Sequence, residues 1–145
     1  MDPHWDPDAR AAFLGLAPHH GLGHLYRASL EALTLESARC VAAMDAAGMG
    51  PERIVAVGGG AASALWRGMV ADATGLPLSV SRSVEASSLG AAMAAAAGLG
   101  WHASLPEAAA AMSAQGDATV PDPARAKEWR ALADRQARAY RAGGL

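Results

Sequence analysis

Cysteine, aromatic residues and excess charge are all scarce in this chain of 145 residues. With Cys40 as the single cysteine, a disulfide or a cysteine zinc site within one chain is excluded, and a reducing, cytoplasmic setting fits. Aromatic residues make up 5% of the sequence, so no platform for stacking bases is visible. The net charge is -2 and no long run of Lys or Arg occurs, which argues against nucleic-acid binding.

Long hydrophobic runs are also missing. The polar, acidic start MDPHWDPDAR does not resemble a signal peptide. The longest mostly apolar stretch, residues 89–101, consists mainly of alanine and falls short of the roughly 20 residues that a membrane span needs. We therefore expect no membrane association and a buried helix in this stretch. With 52% hydrophobic residues, the chain has the composition of one folded domain.

Apolar residues at helical spacing, interrupted by glycine and proline, predict five helices and two strands after an irregular start. The helices are predicted at residues 22–47, 61–74, 85–97, from about 104, and 121–142, and the strands at residues 53–57 and 78–80. Strands joined by helices indicate an α/β fold with a short parallel sheet. Because two short strands make a marginal sheet, we expect further structure to complete it.

The same pattern predicts which residues are buried. The strand at 53–57 lacks polar alternation, which is typical of a strand covered on both faces. Cys40 is expected to be a small core residue, and Trp66, Trp101 and Trp129 are expected to anchor the packing. The helix faces predicted to be buried consist of Leu22, Leu25, Tyr26, Ser29, Leu33, Val41 and Met44 in the first helix and Leu65, Trp66, Met69, Val70 and Ala73 in the second.

Three consecutive glycines, Gly58, Gly59 and Gly60, join the first strand to the second helix. Such a junction is typical of a phosphate or nucleotide site, because bare backbone admits a ligand and the N–H groups at a helix start favour an anion. An ordinary tight turn is the alternative. No Lys-Ser or Lys-Thr pair completes a P-loop, and Ser63 occupies the place of the third glycine in a dinucleotide fingerprint. The turn therefore indicates a nucleotide site of another kind.

A second group of polar residues lies around the start of the first helix. His19, His20 and His24 could hold a metal ion, but the alternative, that His24 helps to set the helix start, fits better because Gly21 replaces the glutamate of H-E-x-x-H. Glu31, within an apolar stretch, is expected to pack or to hydrogen-bond, and Glu36 to be a surface charge.

Three motifs together resemble the FGGY carbohydrate kinases. AAFLGLAPHHGLGHLYRASLE, residues 11–31, is similar to their C-terminal signature, although HGLGHL replaces the usual HTRAHL. Their adenosine motif is similar to residues 58–78, GGGAASALWRGMVADATGLPL. The helix that follows that motif is similar to residues 85–101, EASSLGAAMAAAAGLGW. WDPDAR, before the signature, resembles xylulokinase-like members. The motifs occur in the family's order and cover nearly the whole chain.

The resemblance implies a partial ribonuclease-H-like, actin-like fold in which residues 1–145 form the C-terminal part of the second domain. It implies ATP and Mg²⁺, with a sugar or polyol, preferably xylulose-like, as acceptor. It places Gly58, Gly59, Gly60, Ala61, Ser63 and Ala64 beside the adenosine and α-phosphate. Alanine at position 64 leaves only backbone and packing contacts where some relatives carry an adenine-contacting side chain.

The family's phosphate loop, sugar pocket and catalytic aspartate belong to an N-terminal domain that is absent here. Asp6, Asp8 and Asp72 do not match that aspartate, so no catalytic residue is predicted and the chain is expected to be inactive alone. It would then act with a split-kinase partner. One alternative is a non-catalytic interaction module that self-associates through an open sheet edge. The other is a dinucleotide-binding module, suggested by the glycine turn alone.

Overall fold

The computed structural model describes residues 10–83 and 85–143, and Asp6 and Asp8 lie outside them. Five α-helices and three β-strands make up the described part of the chain, with two short 3₁₀ turns at Gly59–Ala62 and Pro123–Arg125. The helices are α1 Leu22–Ala46, α2 Ala64–Thr74, α3 Ala86–Gly98, α4 Leu105–Met112 and α5 Ala126–Gly143. The strands are β1 Ile54–Ala56, β2 Leu78–Ser81 and β3 Gln115–Thr119.

Local sequence signals account for most helix ends. The hydroxyl of Ser63 accepts a hydrogen bond from the Trp66 N–H and caps α2, and Ser104 caps α4 in the same way through the Glu107 N–H. Gly75, at φ +70°, ends α2 in the left-handed conformation that glycine adopts without strain. The seven predicted elements are confirmed, but α2 begins at Ala64 rather than at residue 61 because the preceding residues form a 3₁₀ turn.

The sheet has the order β1-β2-β3. β1 and β2 pair in parallel, with Ile54 opposite Leu78, as the helical connection between them requires. β3 pairs antiparallel to β2, with Thr119 opposite Leu78, so the sheet is mixed and not purely parallel. Sequence reasoning missed β3 because its residues, QGDAT, have low strand propensity and no apolar alternation.

The hydrophobic core lies between three helices. Leu30 and Leu35 of α1, Met69 of α2 and Trp129 of α5 are buried together, with Trp66 packed against them. The predicted burial of Met69 and Trp129 is confirmed. In contrast, Leu30 and Leu35 lie on a different face of α1 from the predicted one.

Several burial predictions are wrong, because helical or strand spacing shows which apolar residues share a face and not whether a neighbouring element covers that face. Val55 in β1 is 41% exposed, Trp101 is 75% exposed and Leu22 is 82% exposed. Cys40 is exposed as well. In the alanine-rich α3, only Ala96 is fully buried. None of the described helices is long and apolar enough to cross a membrane.

Candidate functional site

The glycine turn leaves the carboxyl end of β1 and leads into α2. Gly58, Gly59 and Gly60 are all exposed, so the turn lies at the surface as an accessible stretch of backbone. It is held by hydrogen bonds from the Ala61 N–H to the Gly58 carbonyl at 3.1 Å and from the Ser63 N–H to the Gly60 carbonyl at 3.2 Å. The turn is therefore ordered by its own backbone.

Each of the three glycines has a different local environment. Gly58 has φ +79° and ψ -177°, a conformation that residues with a side chain rarely adopt. At Gly60, an added Cβ would lie 2.4 Å from the Cζ3 atom of the Trp66 ring. At Gly59 an added Cβ would meet nothing within 4 Å, and φ is not positive. Folding therefore explains the glycines at 58 and 60, whereas nothing within the described structure requires glycine at position 59.

Two consecutive residues of α2, Trp66 and Arg67, hold the glycine turn in place through contacts with Gly60 and Ala61. The Trp66 ring packs against Gly60, and its Nε1–H donates to the Thr34 hydroxyl in α1 at 3.2 Å. The guanidinium of Arg67 donates from Nη1 to the Ala61 carbonyl at 2.6 Å. Thr34 is fully buried and donates in turn to the Leu30 carbonyl at 2.7 Å. Sequence reasoning missed both residues: Thr34 lies outside the three motifs, and Arg67 lies in the stretch that resembles the adenosine motif but is not among the residues placed beside the nucleotide.

Backbone N–H groups remain available on the open side of the turn. Within residues 10–83 and 85–143, no carbonyl or side chain accepts a hydrogen bond from the N–H of Gly59 or Gly60. Free N–H groups at a strand-to-helix turn are favourable partners for an anion. The predicted residues Ala61, Ser63 and Ala64 differ in role: Ala61 is buried, Ser63 caps α2, and Ala64 is exposed as the first residue of the helix.

Asp72 has a structural role. Its carboxylate is 7% exposed, accepts a hydrogen bond from the Asp122 N–H at 2.8 Å, and pairs with the Arg125 guanidinium at 2.8 Å. These contacts tie α2 to the segment that leads into α5. With both oxygens engaged, Asp72 is not arranged as a general base.

An open apolar groove lies elsewhere, between residues 11–16, α1 and α5. His20 and His24 line it, and their Nδ1 atoms accept hydrogen bonds from the N–H groups of Ala17 and Gly21 at 2.9 and 3.2 Å. The interpretation that His24 sets the start of α1 is confirmed. Among the described residues, no three or more His, Cys, Asp or Glu side chains are grouped so that they could hold a metal ion.

Two glutamates of α1 form ion pairs with arginines of the same helix. Glu31 also lines the groove and accepts from Arg27 Nε at 2.7 Å, so its expected hydrogen-bonding role is confirmed. Glu36 pairs with Arg39 at 2.9 Å and is partly exposed. No residue of the glycine turn lines the groove, so the turn and the groove are separate features.

Comparison with known proteins identifies the family. The model of the FGGY family of carbohydrate kinases, C-terminal domain, matches residues 1–99. The chain belongs to this family. The match includes the signature, the glycine turn and α3, which confirms the resemblance seen in the sequence.

The relatives are named as kinases of two different substrates, glycerol and xylulose. The chain is 40% identical over 108 residues to a glycerol kinase of Aromatoleum aromaticum, covering 74% of this chain and 22% of that protein. It is 30% identical over 132 residues to a xylulose kinase of Bacillus subtilis, covering 91% of this chain and 26% of that protein. The family is therefore clear, whereas the names do not agree on a substrate.

Solved structures agree with the fold. The crystal structure of a xylulose kinase from Rhodospirillum rubrum matches with a TM-score of 0.81 and 35% identity, over 94% of this chain and 28% of that protein. The α/β, actin-like fold class is confirmed for the chain. The chain spans less than a third of the length of each of these three relatives.

Proposed function

We propose that this chain forms the nucleotide-binding side of an ATP-dependent carbohydrate kinase, with the glycine turn against the adenosine and α-phosphate. The observation that carries the proposal is Gly59. It is exposed, it has no conformational need to be glycine, and a Cβ there would meet nothing within the described structure. A bare backbone with free N–H groups beside it fits close approach by a nucleotide.

The described residues supply one wall of the site, and no group that transfers phosphate is assigned among residues 10–83 and 85–143. Phosphoryl transfer needs the phosphates, the metal and the accepting hydroxyl aligned together. The described residues do not fit a resident Mg²⁺ site, and Asp72 is engaged by Arg125. The catalytic groups therefore belong to the portion that longer relatives have in addition, supplied by a split-kinase partner or by a longer polypeptide, in the cytoplasm.

The acceptor class is a sugar or polyol hydroxyl, and a xylulose-like pentulose is the favoured one. The similarity to the Rhodospirillum rubrum structure supports the pentulose, whereas the Aromatoleum aromaticum relative makes glycerol the necessary comparison. Assays of the chain alone with xylulose or glycerol and ATP should give no turnover. Sustained phosphorylation by the chain alone would contradict the proposed division of the site.

The decisive test is a comparison of two glycine variants. Gly59→Ala should leave the free energy of unfolding within about 1 kcal/mol of the parent, because the added methyl group meets no neighbour and reduces the entropy of the unfolded chain. The same methyl group should weaken ATP binding about tenfold, which corresponds to about 1.4 kcal/mol. Isothermal titration calorimetry with ATP measures this change.

Gly90→Ala is the matched control, because Gly90 lies in α3 and an added Cβ also meets nothing there. It should leave ATP affinity unchanged. Equal ATP affinity in the Gly59 variant and the parent would refute the proposed contact. Titration with NAD in parallel separates the dinucleotide alternative, which predicts that NAD binds more tightly than ATP.

A second candidate function, a self-associating interaction module, is favoured by the open edge of the sheet. Within the described residues β1 pairs only with β2, and Val55 and Val57 are 41% and 51% exposed. An uncovered strand edge with exposed apolar side chains promotes pairing between chains. Sedimentation velocity should detect oligomers that increase with concentration, whereas a stable monomer would argue against this function.

A further inference from the structure

We infer that Trp66 is a positioning residue that holds the glycine turn in its binding geometry and couples it to α1 through Thr34. Its effect on nucleotide affinity depends on the proposed function, whereas its effect on the turn itself does not. The two effects can therefore be measured separately.

The contact between Trp66 and Gly60 is tight. An added Cβ at Gly60 would lie 2.4, 3.1 and 3.4 Å from three atoms of the indole ring. The ring therefore occupies the space that a side chain at position 60 would need, and the turn rests directly on it. A packed aromatic ring cannot move without displacing its neighbours. The Trp66 ring therefore fixes the distance between the glycine turn and α2.

The ring is itself fixed at its polar end. Trp66 Nε1–H donates to the Thr34 hydroxyl across 32 residues of sequence, and Thr34 is fully buried and donates onward to the Leu30 carbonyl. Thr34 thus uses its hydroxyl as acceptor and donor at once. A buried donor without its partner is destabilising, so the indole orientation that satisfies both groups is preferred.

The core adds a further constraint on the same ring. Trp66 packs against the cluster that includes Leu30 and Met69, so it lies between the core of the molecule and the exposed turn. The neighbouring Arg67 holds the Ala61 carbonyl at 2.6 Å. Two adjacent α2 residues thereby fix two adjacent residues of the turn, Trp66 by packing against Gly60 and Arg67 by a hydrogen bond to Ala61.

The test uses Trp66→Phe, which keeps a ring beneath Gly60 but removes the N–H donor, and Thr34→Val, which removes the hydroxyl at nearly constant volume. Amide hydrogen exchange is followed by NMR without nucleotide, at the Ala61 and Ser63 N–H groups, which are protected by the turn. Each variant should accelerate exchange there about threefold to tenfold, the range that corresponds to loss of one buried hydrogen bond.

Coupling is tested by the double variant. If the two residues act through the single hydrogen bond that joins them, the double variant exchanges no faster than either single variant at Ala61 and Ser63. Additive acceleration would overturn the coupling to Thr34. Equal acceleration at these positions and at the Met69 amide in the core would also overturn the inference, because it would indicate a global loss of stability.

Trp101→Phe is the matched control, since Trp101 is 75% exposed and lies after α3, outside the turn. It should change neither exchange nor affinity. Because affinity scales with the fraction of molecules in which the turn has its binding geometry, ATP affinity of the Trp66 and Thr34 variants should fall by no more than the factor by which exchange rises. If the unaltered chain binds no ATP, the proposed function fails for the isolated chain, while the exchange measurements still decide the role of Trp66.

Discussion

The helical side of the molecule, where α1, α2 and α5 meet, and the outer strand β1 on its sheet side differ in how completely their apolar residues are covered. Between α1, α2 and α5, Met69 and Trp129 are at most 3% exposed. At β1 and after α3, Val55 is 41% and Trp101 is 75% exposed. Both sides have apolar sequences, so composition does not explain the difference. The difference lies in the neighbours within the described structure: α1, α2 and α5 cover one another, whereas β1 pairs with β2 along one edge.

Side-chain hydrogen bonds also differ between the helical side and the sheet side. The buried hydroxyl of Thr34 and the buried carboxylate of Asp72 connect separate helical elements, Thr34 to Trp66 and Asp72 to Arg125. On the sheet side, the main side-chain contact between strands is Ser79 to Gln115 at 2.9 Å. We therefore expect stability to depend on the helical side, and association to depend on the sheet side.

The largest expected effect is on the helical core. Met69→Ala should lower the free energy of unfolding by about 2–5 kcal/mol, because it removes a fully buried side chain and leaves a cavity. Urea denaturation followed by circular dichroism measures the loss. Met49→Ala is the control, since Met49 is 66% exposed, and it should cost less than about 0.5 kcal/mol. Equal losses in both variants would show that the core assignment is wrong.

A smaller effect is expected at the tie between α2 and α5. Asp72→Ala should cost about 1–3 kcal/mol, because it removes the acceptor of two hydrogen bonds and leaves the Asp122 N–H without a partner. Asp72→Asn, which keeps one carbonyl oxygen as acceptor, should lose less. Thermal unfolding compares the two with Asp134→Ala, an exposed control on α5. A loss no greater than that of the control would contradict a structural role for Asp72.

The smallest effect on stability is expected on the sheet side. Val55→Lys should change the free energy of unfolding by no more than about 1 kcal/mol, because Val55 is 41% exposed, yet it should reduce self-association. A charge on an edge strand disfavours pairing with another chain. Sedimentation velocity over a range of concentrations compares it with Leu99→Lys, a 68% exposed control at the end of α3. Unchanged association in the Val55 variant would exclude this edge as the interface.

Much of the fold could be predicted, because its signals are local. Glycine and proline positions marked the ends of the helices, and the helix predicted from about residue 104 begins directly after its cap, Ser104. Ser63, in contrast, was placed inside the helix predicted from residue 61, whereas it caps α2. β3 could not be predicted, because QGDAT pairs with β2 through its backbone and has no side-chain pattern. The predicted buried face of α1 was also wrong, since the positions of α2 and α5 together select Leu30 and Leu35 from several apolar candidates.

The location of the glycine turn between β1 and α2 was predicted, but the structural reason for each glycine was not. Three glycines after an apolar strand identified the turn, and the sequence alone assigned all of them to ligand approach. The structure gives Gly58 a positive φ and places Trp66 beneath Gly60, which leaves Gly59 as the glycine that folding does not require. Whether residues 58–64 hold a nucleotide remains a prediction, and the Gly59 variant is the sharpest way to test it.

The amino-acid sequence by itself determined the family, the order of the predicted helices and strands, and the location of the glycine turn. These follow from residue types at short spacing, which act on the backbone nearby. Only the tertiary structure decided which apolar faces are covered, that Asp72 is a structural tie, and that Trp66 joins the turn to Thr34. Those outcomes depend on contacts between residues 32 to 53 positions apart, which local spacing does not encode.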